Sequence, residues 1–552
     1  MNRVIRRRHT VVIALAVLGS VSLAACSAGA AADRPKASGA AADPATRPEL
    51  KAFYGQKLKW TSCGDGDAYE CADLTVPMDY AHPGNGKTFV LPVARALTAR
   101  SAKRIGSLVF NPGGPGESGV QFLQDGAADD FSRKMRDRFD IVSFDPRGVA
   151  GSKPALTCTT KGKGAGEADE GEAQAAGAVA PLYPRTAAER ADTLAGAREE
   201  AAACKKASGA ILPHVGTEDA ARDMDVLRAA LGEEKLTYTG WSYGTSLGTS
   251  YAEQFPKRVR AMVLDGAVDP SLKWSDRVIS QAKGFERAVD DYAEYCADVA
   301  GDDCPAGTPE GIRTLIDGLY ETAQREPLPV DGDEYGLDAS MVLTAITMAM
   351  YTPEQQWKGL SRALREAGGG DGTKLAALAA GEEPAPGIDD SEEPTEDPGA
   401  SDGSDTSGAA DDEPPADNGE AALLAINCLD TPHARDPQAY WDALAPADKA
   451  ASVYGTSGVT TELACMFLPS GERQPHRVDA KGVPPVLVVG TTGDAATPYE
   501  EATSLAEQFP GGMLLTYEGL GHTAYGRSNS CVESKVDAYL IGLKKIRPDA
   551  TC

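Results

Sequence analysis

Six short apolar runs recur along the chain, and each ends close to a glycine, aspartate or proline. They are LVF at 108–110, IVSF at 141–144, LTYT at 236–239, MVL at 262–264, VLVV at 486–489 and LLTY at 514–517. Their hydrophobicity is continuous rather than alternating, which is typical of strands buried on both faces of a parallel sheet. Helical periodicity lies between several of them, as in 217–232, where one face would carry Ala220, Met224, Leu227 and Leu231. Strands that alternate with helices predict an α/β fold with a mostly parallel sheet.

The run that begins at 236 leads directly into Gly240-Trp241-Ser242-Tyr243-Gly244. G-x-S-x-G is the pattern of a sharp turn from a strand to a helix, which exposes the serine hydroxyl above the sheet. The residues that follow, TSLGTSYAEQF, can form that helix. Ser242 is therefore the predicted nucleophile, and the backbone N–H of Tyr243 is predicted to be one donor of an oxyanion hole.

A serine nucleophile needs a base, and the base needs an acid that orients it. Asp494 follows the run VLVV, and His522 follows LLTY, the last of the six runs. Ser242, Asp494 and His522 thus occur in the order expected of an α/β-hydrolase, and they form the predicted triad. Asp265, directly after MVL, is the alternative acid. Thr497 lies in the acid loop, either as a hydrogen-bond partner or as a turn residue.

The second oxyanion donor is expected in the loop after an earlier strand. The sequence NPGGPG at 111–116 directly follows the run LVF. Glycines let the backbone approach closely enough to aim an N–H at a developing negative charge. Gly114 is the predicted donor, and Gly113 is the alternative.

The N-terminus has the anatomy of an export signal. Four arginines among the first eight residues precede the apolar stretch VVIALAVLGSVSLAA at 11–25, which is short for a membrane-spanning helix. Leu23-Ala24-Ala25-Cys26 resembles a bacterial lipobox, in which the cysteine is acylated. The sequence therefore predicts a signal peptide over 1–25 and a secreted protein anchored to the outer face of the membrane through a lipid at Cys26.

The other ten cysteines form an even set, which suits disulfides in an oxidising compartment. Neither C-x-x-C nor H-E-x-x-H occurs, so no metal site is predicted. Proximity in the sequence suggests five pairs, Cys63–Cys71, Cys158–Cys204, Cys296–Cys304, Cys428–Cys465 and Cys531–Cys552.

Composition divides the chain into segments. The formal net charge is −27, which argues against binding to nucleic acid. Fifteen of the acidic residues lie in 381–420, which has no Lys or Arg and too few large apolar side chains to fold. The predicted organisation after the signal peptide is a flexible tether at 26–48, the first part of the core at 49–270, a helical lid at 271–420 that includes the disordered acidic insert, and the second part of the core at 421–552. The stretch 161–180 is predicted to be a mobile loop.

Seven motifs occur in a specific order over about residues 50–552. They are NPGGPGESG, FDPRG at 144–148, TEDAARDMDVLRAALG, YTGWSYGTSLG, VLDG, VVGTTGDAATP and GLGHTAYG. In this order they resemble the secreted tripeptidyl aminopeptidase family of actinobacteria, α/β-hydrolases related to prolyl iminopeptidases. The resemblance implies Ser242 as nucleophile, Asp494 as acid and His522 as base, and the release of short peptides from free N-termini. The acidic insert and the sequence VAGS at 149–152 depart from the family pattern and bear on lid shape and substrate length.

An exopeptidase must also hold the α-ammonium group of its substrate, which requires carboxylates near the nucleophile. Glu117, beside the oxyanion loop, and Asp265 and Asp269, after the MVL strand, are the candidates. Peptides or small proteins are the expected substrates, no cofactor is implied, and the oligomeric state stays open. The same triad could instead cleave carboxylic esters. A third alternative is a lipid-anchored envelope binding protein with a degenerate hydrolase fold, a class that typically lacks one triad member.

Overall fold

A computed structural model of the protein describes residues 44–64, 68–158, 181–381, 418–548 and 550–552. A ten-stranded sheet forms the centre of the molecule. Its strands, in chain order, are β1 (Thr61–Cys63), β2 (Tyr69–Pro77), β3 (Thr88–Ala96), β4 (Gly106–Asn111), β5 (Phe139–Phe144), β6 (Leu236–Trp241), β7 (Val259–Asp265), β10 (Leu487–Gly493), β11 (Met513–Leu520) and β12 (Ala550–Thr551). A separate two-stranded ribbon consists of β8 (Leu328–Val330) and β9 (Asp333–Leu337).

The order of strands in the large sheet is β1-β2-β3-β5-β4-β6-β7-β10-β11-β12. The pairs from β5 to β12 are parallel, and β1 to β3 add an antiparallel edge that joins the sheet through β5. The six apolar runs coincide with β4, β5, β6, β7, β10 and β11. The predicted α/β fold with a mostly parallel sheet is confirmed.

Helices cover both faces of this sheet and also fill the interval between β7 and β10. The α-helices of the described residues are, in chain order, α1 (Lys51–Tyr54), α2 (Gly119–Gln124), α3 (Arg133–Arg136), α4 (Ala187–Ser208), α5 (Thr217–Ala230), α6 (Tyr243–Gln254), α7 (Trp274–Val299), α8 (Pro309–Arg325), α9 (Ala339–Tyr351), α10 (Pro353–Gly368), α11 (Thr373–Ala379), α12 (Gly419–Asp430), α13 (Gln438–Ala450), α14 (Ser452–Thr461), α15 (Tyr499–Gln508) and α16 (Ser530–Gly542).

The strands bury both of their faces, as their continuous hydrophobicity predicts. Val109 of β4 joins an apolar cluster with residues of α5, α6 and α15. Its neighbours Leu108 and Phe110 join a second cluster with residues of α2, α3 and α16. Adjacent residues of a strand point to opposite faces, so a sheet covered on both sides needs apolar residues at every position.

The helices between β7 and β10 have an apolar core of their own, built mainly from α7 to α11. We call the segment from α7 to α11 the lid. Its core also includes Ala495 and Ala496, which belong to the loop after β10. The lid therefore packs directly on the loop that carries Asp494.

Two features near residue 420 differ from the segment boundaries predicted from the sequence. Asn418, assigned to the disordered insert, is buried, and its side chain donates to the carbonyls of Gly148 and Leu156 at 2.9 and 3.0 Å. The segment after 420, assigned to the core, begins with helices of which α13 and α14 pack on α7 through a cluster that includes Trp274 and Tyr440. Apolar contacts with the lid therefore continue well beyond residue 420.

Several sequence predictions fall outside the described residues. They are the signal peptide, Cys26, most of the tether, the whole loop at 161–180 and the acidic segment from 382 to 417. Within the described ranges, no helix is both long and apolar enough to cross a bilayer.

The five predicted disulfides are confirmed. The bonds join Cys63–Cys71, Cys158–Cys204, Cys296–Cys304, Cys428–Cys465 and Cys531–Cys552. Five disulfides in one chain indicate folding in an oxidising, extracytoplasmic compartment.

Candidate active site

Ser242 lies at the turn between β6 and α6 with φ 54° and ψ −126°. This backbone conformation is costly for a residue with a side chain and persists only where the surroundings impose it. The glycines of the motif explain how the turn fits: a Cβ at Gly240 would lie 2.2 Å from the Gly244 carbonyl oxygen, and one at Gly244 would lie 2.6 Å from that of Asn111. The Ser242 N–H donates to the Asp265 carbonyl at 2.9 Å. Close packing of the neighbouring glycines and the hydrogen bond to Asp265 thus hold the serine in the strained turn.

The structure brings the predicted acid and base together. Nδ1 of His522 lies 2.9 and 3.1 Å from the two carboxylate oxygens of Asp494. Asp494 also accepts N–H groups from Ala496, Thr497 and Thr523 at 3.0, 2.9 and 3.2 Å. These amides fix the carboxylate in a single orientation toward the imidazole ring.

Thr497 is a hydrogen-bond partner in the acid loop, one of the two roles proposed for it. Its hydroxyl donates to Asp494 at 3.1 Å and lies 3.3 Å from Nδ1 of His522. Thr497 therefore contacts both members of the acid–base pair.

The other imidazole nitrogen of His522, Nε2, is buried and has no hydrogen-bond partner among the described residues. Gly266 brackets the ring, since a Cβ there would lie 3.1 Å from Cε1 of His522. Gly266 directly follows Asp265, whose carbonyl receives the Ser242 N–H. The backbone of 265–266 thus connects the serine turn to the imidazole. A buried nitrogen without a partner can accept a hydrogen bond, and then the proton, from a reacting hydroxyl.

The loop after β4 lies against the serine turn. Gly113 has φ 119°, and a Cβ there would lie 2.8 Å from the Ser242 Cβ and 3.3 Å from the Tyr243 nitrogen. Gly114, with φ 97°, is exposed and lines the cavity. Gly113, the alternative in the sequence analysis, makes the close approach, and the N–H of Gly114 belongs to the peptide group that immediately follows it.

Asp265 does not occupy either position predicted for it. Its carboxylate is fully buried and accepts the N–H groups of Ala524, at 3.1 Å to each oxygen, and Tyr525, at 2.8 Å. Burial raises its pKa to about 6, although those amides act in the opposite direction. Asp265 is absent from the cavity wall. It instead fastens the loop that follows His522 to the end of β7, so it neither orients the base nor faces a substrate.

A cavity of about 1740 Å³ opens above Ser242. Its walls come mainly from the loops at 114–117 and 472–476, from α4 to α7, and from α9, α12 and α14. Acidic residues outnumber basic ones in the lining. The acids are Glu117, Glu189, Asp192, Glu200, Glu218, Asp219, Glu253, Asp269, Asp338, Glu420, Asp430, Glu462, Glu472 and Glu501, and the arginines are Arg222, Arg277 and Arg473. Such a wall favours a positively charged ligand.

Glu117 and Asp269 both line this cavity but differ in availability. Glu117 is exposed and follows the glycine loop directly. Asp269 is nearly buried and accepts hydrogen bonds from Gln508 and from the Ser271 N–H, both at 2.8 Å. Although burial opposes its ionisation, these bonds lower the pKa of Asp269. Glu117 is therefore the more accessible carboxylate.

Glu501 is a cavity residue that the sequence analysis missed. Its carboxylate accepts the Ser280 hydroxyl at 2.6 Å and the Asp269 N–H at 3.0 Å. Burial raises its pKa to about 7. Nothing in the local sequence distinguishes it from the exposed Glu500 beside it.

The lid contributes a second missed residue, Tyr351 at the end of α9. Its carbonyl accepts the His522 N–H at 2.9 Å, and its ring stands nearly perpendicular to the imidazole, with centroids 5.2 Å apart. Burial, together with the Asp494 and Glu117 carboxylates, raises the pKa of Tyr351 to about 12. The base is thus held by the lid as well as by the sheet.

One group in the described ranges has the spacing of metal ligands, His433, Glu462 and Cys465. The sulfur of Cys465 is bonded to Cys428. Nε2 of His433 lies 2.6 Å from the Glu462 carboxylate. The group therefore provides no thiolate, and its imidazole and carboxylate already contact each other.

Comparison with known proteins gives two family matches. Residues 106–325 match the alpha/beta hydrolase fold, and residues 451–552 match the family described as TAP-like protein. The serine protease Hip1 of Mycobacterium tuberculosis is 36% identical over 507 residues, which cover 88% of this chain and 89% of Hip1. The tripeptidyl aminopeptidase of Streptomyces lividans is 33% identical over 497 residues, with 88% and 83% covered. Carboxylesterase B of M. tuberculosis is 34% identical over 543 residues, with 95% and 94% covered.

Proposed function

The chain belongs to the tripeptidyl aminopeptidase-like branch of the α/β-hydrolase enzymes, and we propose that it is an exported serine exopeptidase. The proposed reaction hydrolyses peptide bonds near free N-termini and releases tripeptides or other short peptides. The substrates would be peptides or small proteins outside the cytoplasm.

In the proposed mechanism, the Ser242 hydroxyl attacks the scissile carbonyl while Nε2 of His522 takes its proton. Asp494 orients the imidazole through Nδ1 and stabilises the imidazolium. The Tyr243 N–H and an N–H of the Gly113–Gly114 segment hold the oxyanion. His522 then returns the proton to the leaving amine, and water enters to release the acyl group and regenerate the serine.

One observation carries this proposal. Nδ1 of His522 is held by Asp494, while Nε2 is buried without a partner in the described part of the chain. The same imidazole adjoins the backbone that fixes Ser242. A buried polar atom without a hydrogen bond destabilises the folded protein, and a substrate or reacting group that binds to it removes that cost.

The acid-rich cavity supports an N-terminal exopeptidase. A free α-ammonium group is cationic, so a wall of carboxylates lowers its free energy of binding. Glu117 is the proposed ligand for that group because it is exposed in the cavity beside Gly114. Asp269 would contribute mainly through charge, since its carboxylate already holds Gln508 and Ser271.

Carboxylic ester hydrolysis is the second candidate function. One relative carries the name carboxylesterase B, and a Ser-His-Asp triad does not by itself distinguish an amide from an ester. The acidic wall is the feature that favours peptides, because a neutral ester gains nothing from it.

We also propose that the protein is tethered to the outer face of the cell membrane by a lipid at Cys26. The support is the basic and apolar N-terminal sequence together with Leu23-Ala24-Ala25-Cys26. Metabolic labelling with a clickable fatty acid should modify the wild-type protein and leave Cys26→Ala unlabelled.

The decisive experiment compares the wild-type protein with Ser242→Ala on five chromogenic substrates. They are aminoacyl, dipeptidyl and tripeptidyl anilides with free N-termini, the N-acetylated tripeptidyl anilide and a short-chain nitrophenyl ester. Ser246→Ala is the matched control, since Ser246 also lines the cavity one turn along α6.

We expect cleavage of the free tripeptide, its loss on acetylation, and its disappearance in Ser242→Ala but not in Ser246→Ala. The residual rate in Ser242→Ala should be lower by a factor of about 10⁴ or more, as in other serine triads. Turnover of the ester alone would refute the peptidase assignment. Anilide turnover indifferent to acetylation would refute the exopeptidase assignment.

A further inference from the structure

A chain of hydrogen bonds leads away from the residue that follows Ser242. The hydroxyl of Tyr243, the residue after the nucleophile, lies 2.5 Å from the Thr217 hydroxyl oxygen. The Thr217 hydroxyl lies 2.5 Å from one carboxylate oxygen of Asp430, and the Thr217 N–H donates to the other at 2.8 Å. These three residues join three helices at the cavity wall.

The positions of the three residues make the chain specific. Tyr243 is the first residue of α6, Thr217 is the first residue of α5, and Asp430 is the last residue of α12. Thr217 and Tyr243 are buried, 6% and 7% exposed, and all three line the same cavity as Ser242. The contacts therefore tie the start of the helix after the nucleophile to two elements outside the serine turn.

The chemistry of the groups fixes the direction of each hydrogen bond. An ionised carboxylate can only accept, so the single hydroxyl proton of Thr217 is directed to Asp430. The Thr217 oxygen then accepts from the Tyr243 hydroxyl. A charged acceptor at the end of a chain strengthens the bonds that lead to it. The Tyr243 side chain is thus held in a single orientation.

We propose that Asp430, acting through Thr217, is a positioning residue for Tyr243 and so for the Tyr243 N–H at the oxyanion site. The inference rests on the proposed function, because it assigns that N–H to the oxyanion. Ser242 is strained, and strain persists only where several contacts oppose its relaxation. Gly113 presses on the turn from one side and the Asp265 carbonyl binds it from another, and the Thr217–Asp430 contact supplies a third restraint.

The charges that face Asp430 come from two other helices. Arg277 of α7 favours its ionised form, and Glu218 of α5 opposes it. Burial raises the pKa of Asp430 to about 6. Below that pH the carboxyl carries its own proton, and the direction of the chain is no longer fixed. The Tyr243 N–H should then be less well held.

The test uses Thr217→Val, Tyr243→Phe, their double variant and Asp430→Asn, with Thr217→Ser as the conservative control. Each is assayed on p-nitrophenyl butyrate for kcat and KM, on a peptide boronic acid for inhibition, and by thermal melting. The boronic acid forms a tetrahedral adduct with the serine and so reports on the oxyanion site.

We expect each of the variants Thr217→Val, Tyr243→Phe and Asp430→Asn to lower kcat about tenfold and to keep KM within twofold of the wild-type value. The inhibition constant of the boronic acid should rise by a similar factor. That loss is smaller than the roughly 10²–10³-fold effect of deleting an oxyanion donor outright. The double variant should be no slower than the slower single variant, since both changes break one chain. Thr217→Ser should keep at least half of the wild-type kcat, and Asp430→Asn should flatten any decline of kcat near pH 6.

The inference is overturned by a wild-type kcat in Tyr243→Phe, by additive losses in the double variant, or by losses confined to KM. If Thr217→Val does not fold, Tyr243→Phe carries the test, because it removes a single oxygen and keeps the ring. Turnover that survives the Ser242→Ala substitution would instead count against the proposed function, so the two failures are distinguishable.

Discussion

At the scale of single residues, the geometry around Ser242 depends on neighbouring glycines, which have no Cβ. Gly113, Gly240 and Gly244 each occupy a position where a Cβ would fall within 2.8 Å of another atom. The turn, the loop after β4 and the start of α6 can approach one another only because these residues have no side chain. The site is therefore specified by small residues as much as by reactive ones.

Gly113→Ala tests this close approach. Its Cβ would lie 2.8 Å from both the Ser242 Cβ and the Trp241 carbonyl oxygen, so the oxyanion loop must move away from the serine. We expect kcat to fall by about 10² or more, because a displaced donor no longer stabilises the transition state. The control is Gly126→Ala, which has a similar φ of 107° but no atom within 4 Å of the new Cβ. Equal losses in both variants would assign the effect to backbone strain instead.

Glu117→Gln tests the proposed ligand of the substrate's amino terminus. The substitution keeps the size of the side chain and removes its charge. We expect KM for a free tripeptidyl anilide to rise about tenfold, which is a typical loss for one charge-assisted hydrogen bond. KM for the nitrophenyl ester should stay unchanged. Asp192→Asn, another acid of the cavity wall, is the control, and a rise in KM for both substrates with Glu117→Gln would contradict the assignment.

At the scale of secondary-structure elements, the lid is a part of the catalytic site. The side chain of Gln281 in α7 donates to the Ala496 carbonyl at 3.0 Å, and Gly284 in the same helix packs against the Ala495 carbonyl. The carbonyl of Tyr351 in α9 accepts the His522 N–H. The acid loop and the base loop are therefore both braced by helices inserted between β7 and β10.

Gly284→Ala should disrupt the contact between α7 and the acid loop. A Cβ at this position would lie 2.3 Å from the Ala495 oxygen, so α7 or the loop next to Asp494 must shift. Since a misplacement of about 1 Å can cost 10²-fold in rate, we expect kcat to fall by at least tenfold. Gly318→Ala in α8 is the matched control, because its Cβ meets nothing within 4 Å and alanine favours a helix. Steady-state kinetics and melting curves of both variants check the prediction, and a wild-type kcat in Gly284→Ala would contradict it.

The strands and the acid–base pair could be predicted because each leaves a local mark in the sequence. Buried strands are continuous apolar runs, and residues directly after them lie at one edge of a parallel sheet. The role of Asp265 could not be predicted, since it follows a buried strand just as Asp494 does. What separates them is the set of backbone amides that each carboxylate meets, and those amides come from loops distant in sequence.

The contacts of Tyr351 and Gly284 with the triad loops could not be predicted from the sequence for a related reason. Both lie in helices whose apolar residues pack in the lid's own core, so nothing in the sequence marks them as neighbours of the triad. The end of the acidic segment was misplaced because composition alone assigned it. Asn418 continues a polar stretch, but three hydrogen bonds to the backbone near Gly148 bury its side chain.

At the scale of the whole molecule, the cavity lies between the apolar core of the sheet and the apolar core of the lid. The core of the sheet carries the serine, the acid and the base, and the core of the lid forms much of the opposite wall. Changes to lid residues that face the cavity without touching the acid loop or the base loop can therefore alter what the cavity accepts while the triad stays in place. The molecule as a whole is acidic, and so is the cavity.

Buried carboxyl groups make the stability of this molecule depend on pH. Burial raises the pKa of Asp265 to about 6 and that of Glu501 to about 7. Above pH 4 the unfolded chain releases these protons while the native state retains them, so the free energy of unfolding decreases as pH rises toward 7. Asp269 and Glu462 act in the opposite direction, because hydrogen bonds lower their pKa despite burial.

Glu501→Gln isolates one of these groups. A neutral amide of the same size cannot ionise, so the variant should lose less thermal stability than the wild-type protein between pH 5 and pH 8. Glu500→Gln is the matched control: Glu500 precedes Glu501 in α15, is exposed, and forms a surface ion pair with Arg287 at 3.3 Å. Such pairs contribute about 0–1 kcal/mol, so its melting temperature should follow the wild-type curve across the range. Melting temperatures measured in buffers of constant ionic strength check the prediction. A Glu501→Gln curve parallel to that of the wild-type protein would show that this carboxyl is already ionised at pH 5 and that its burial does not govern the acid side of the stability profile.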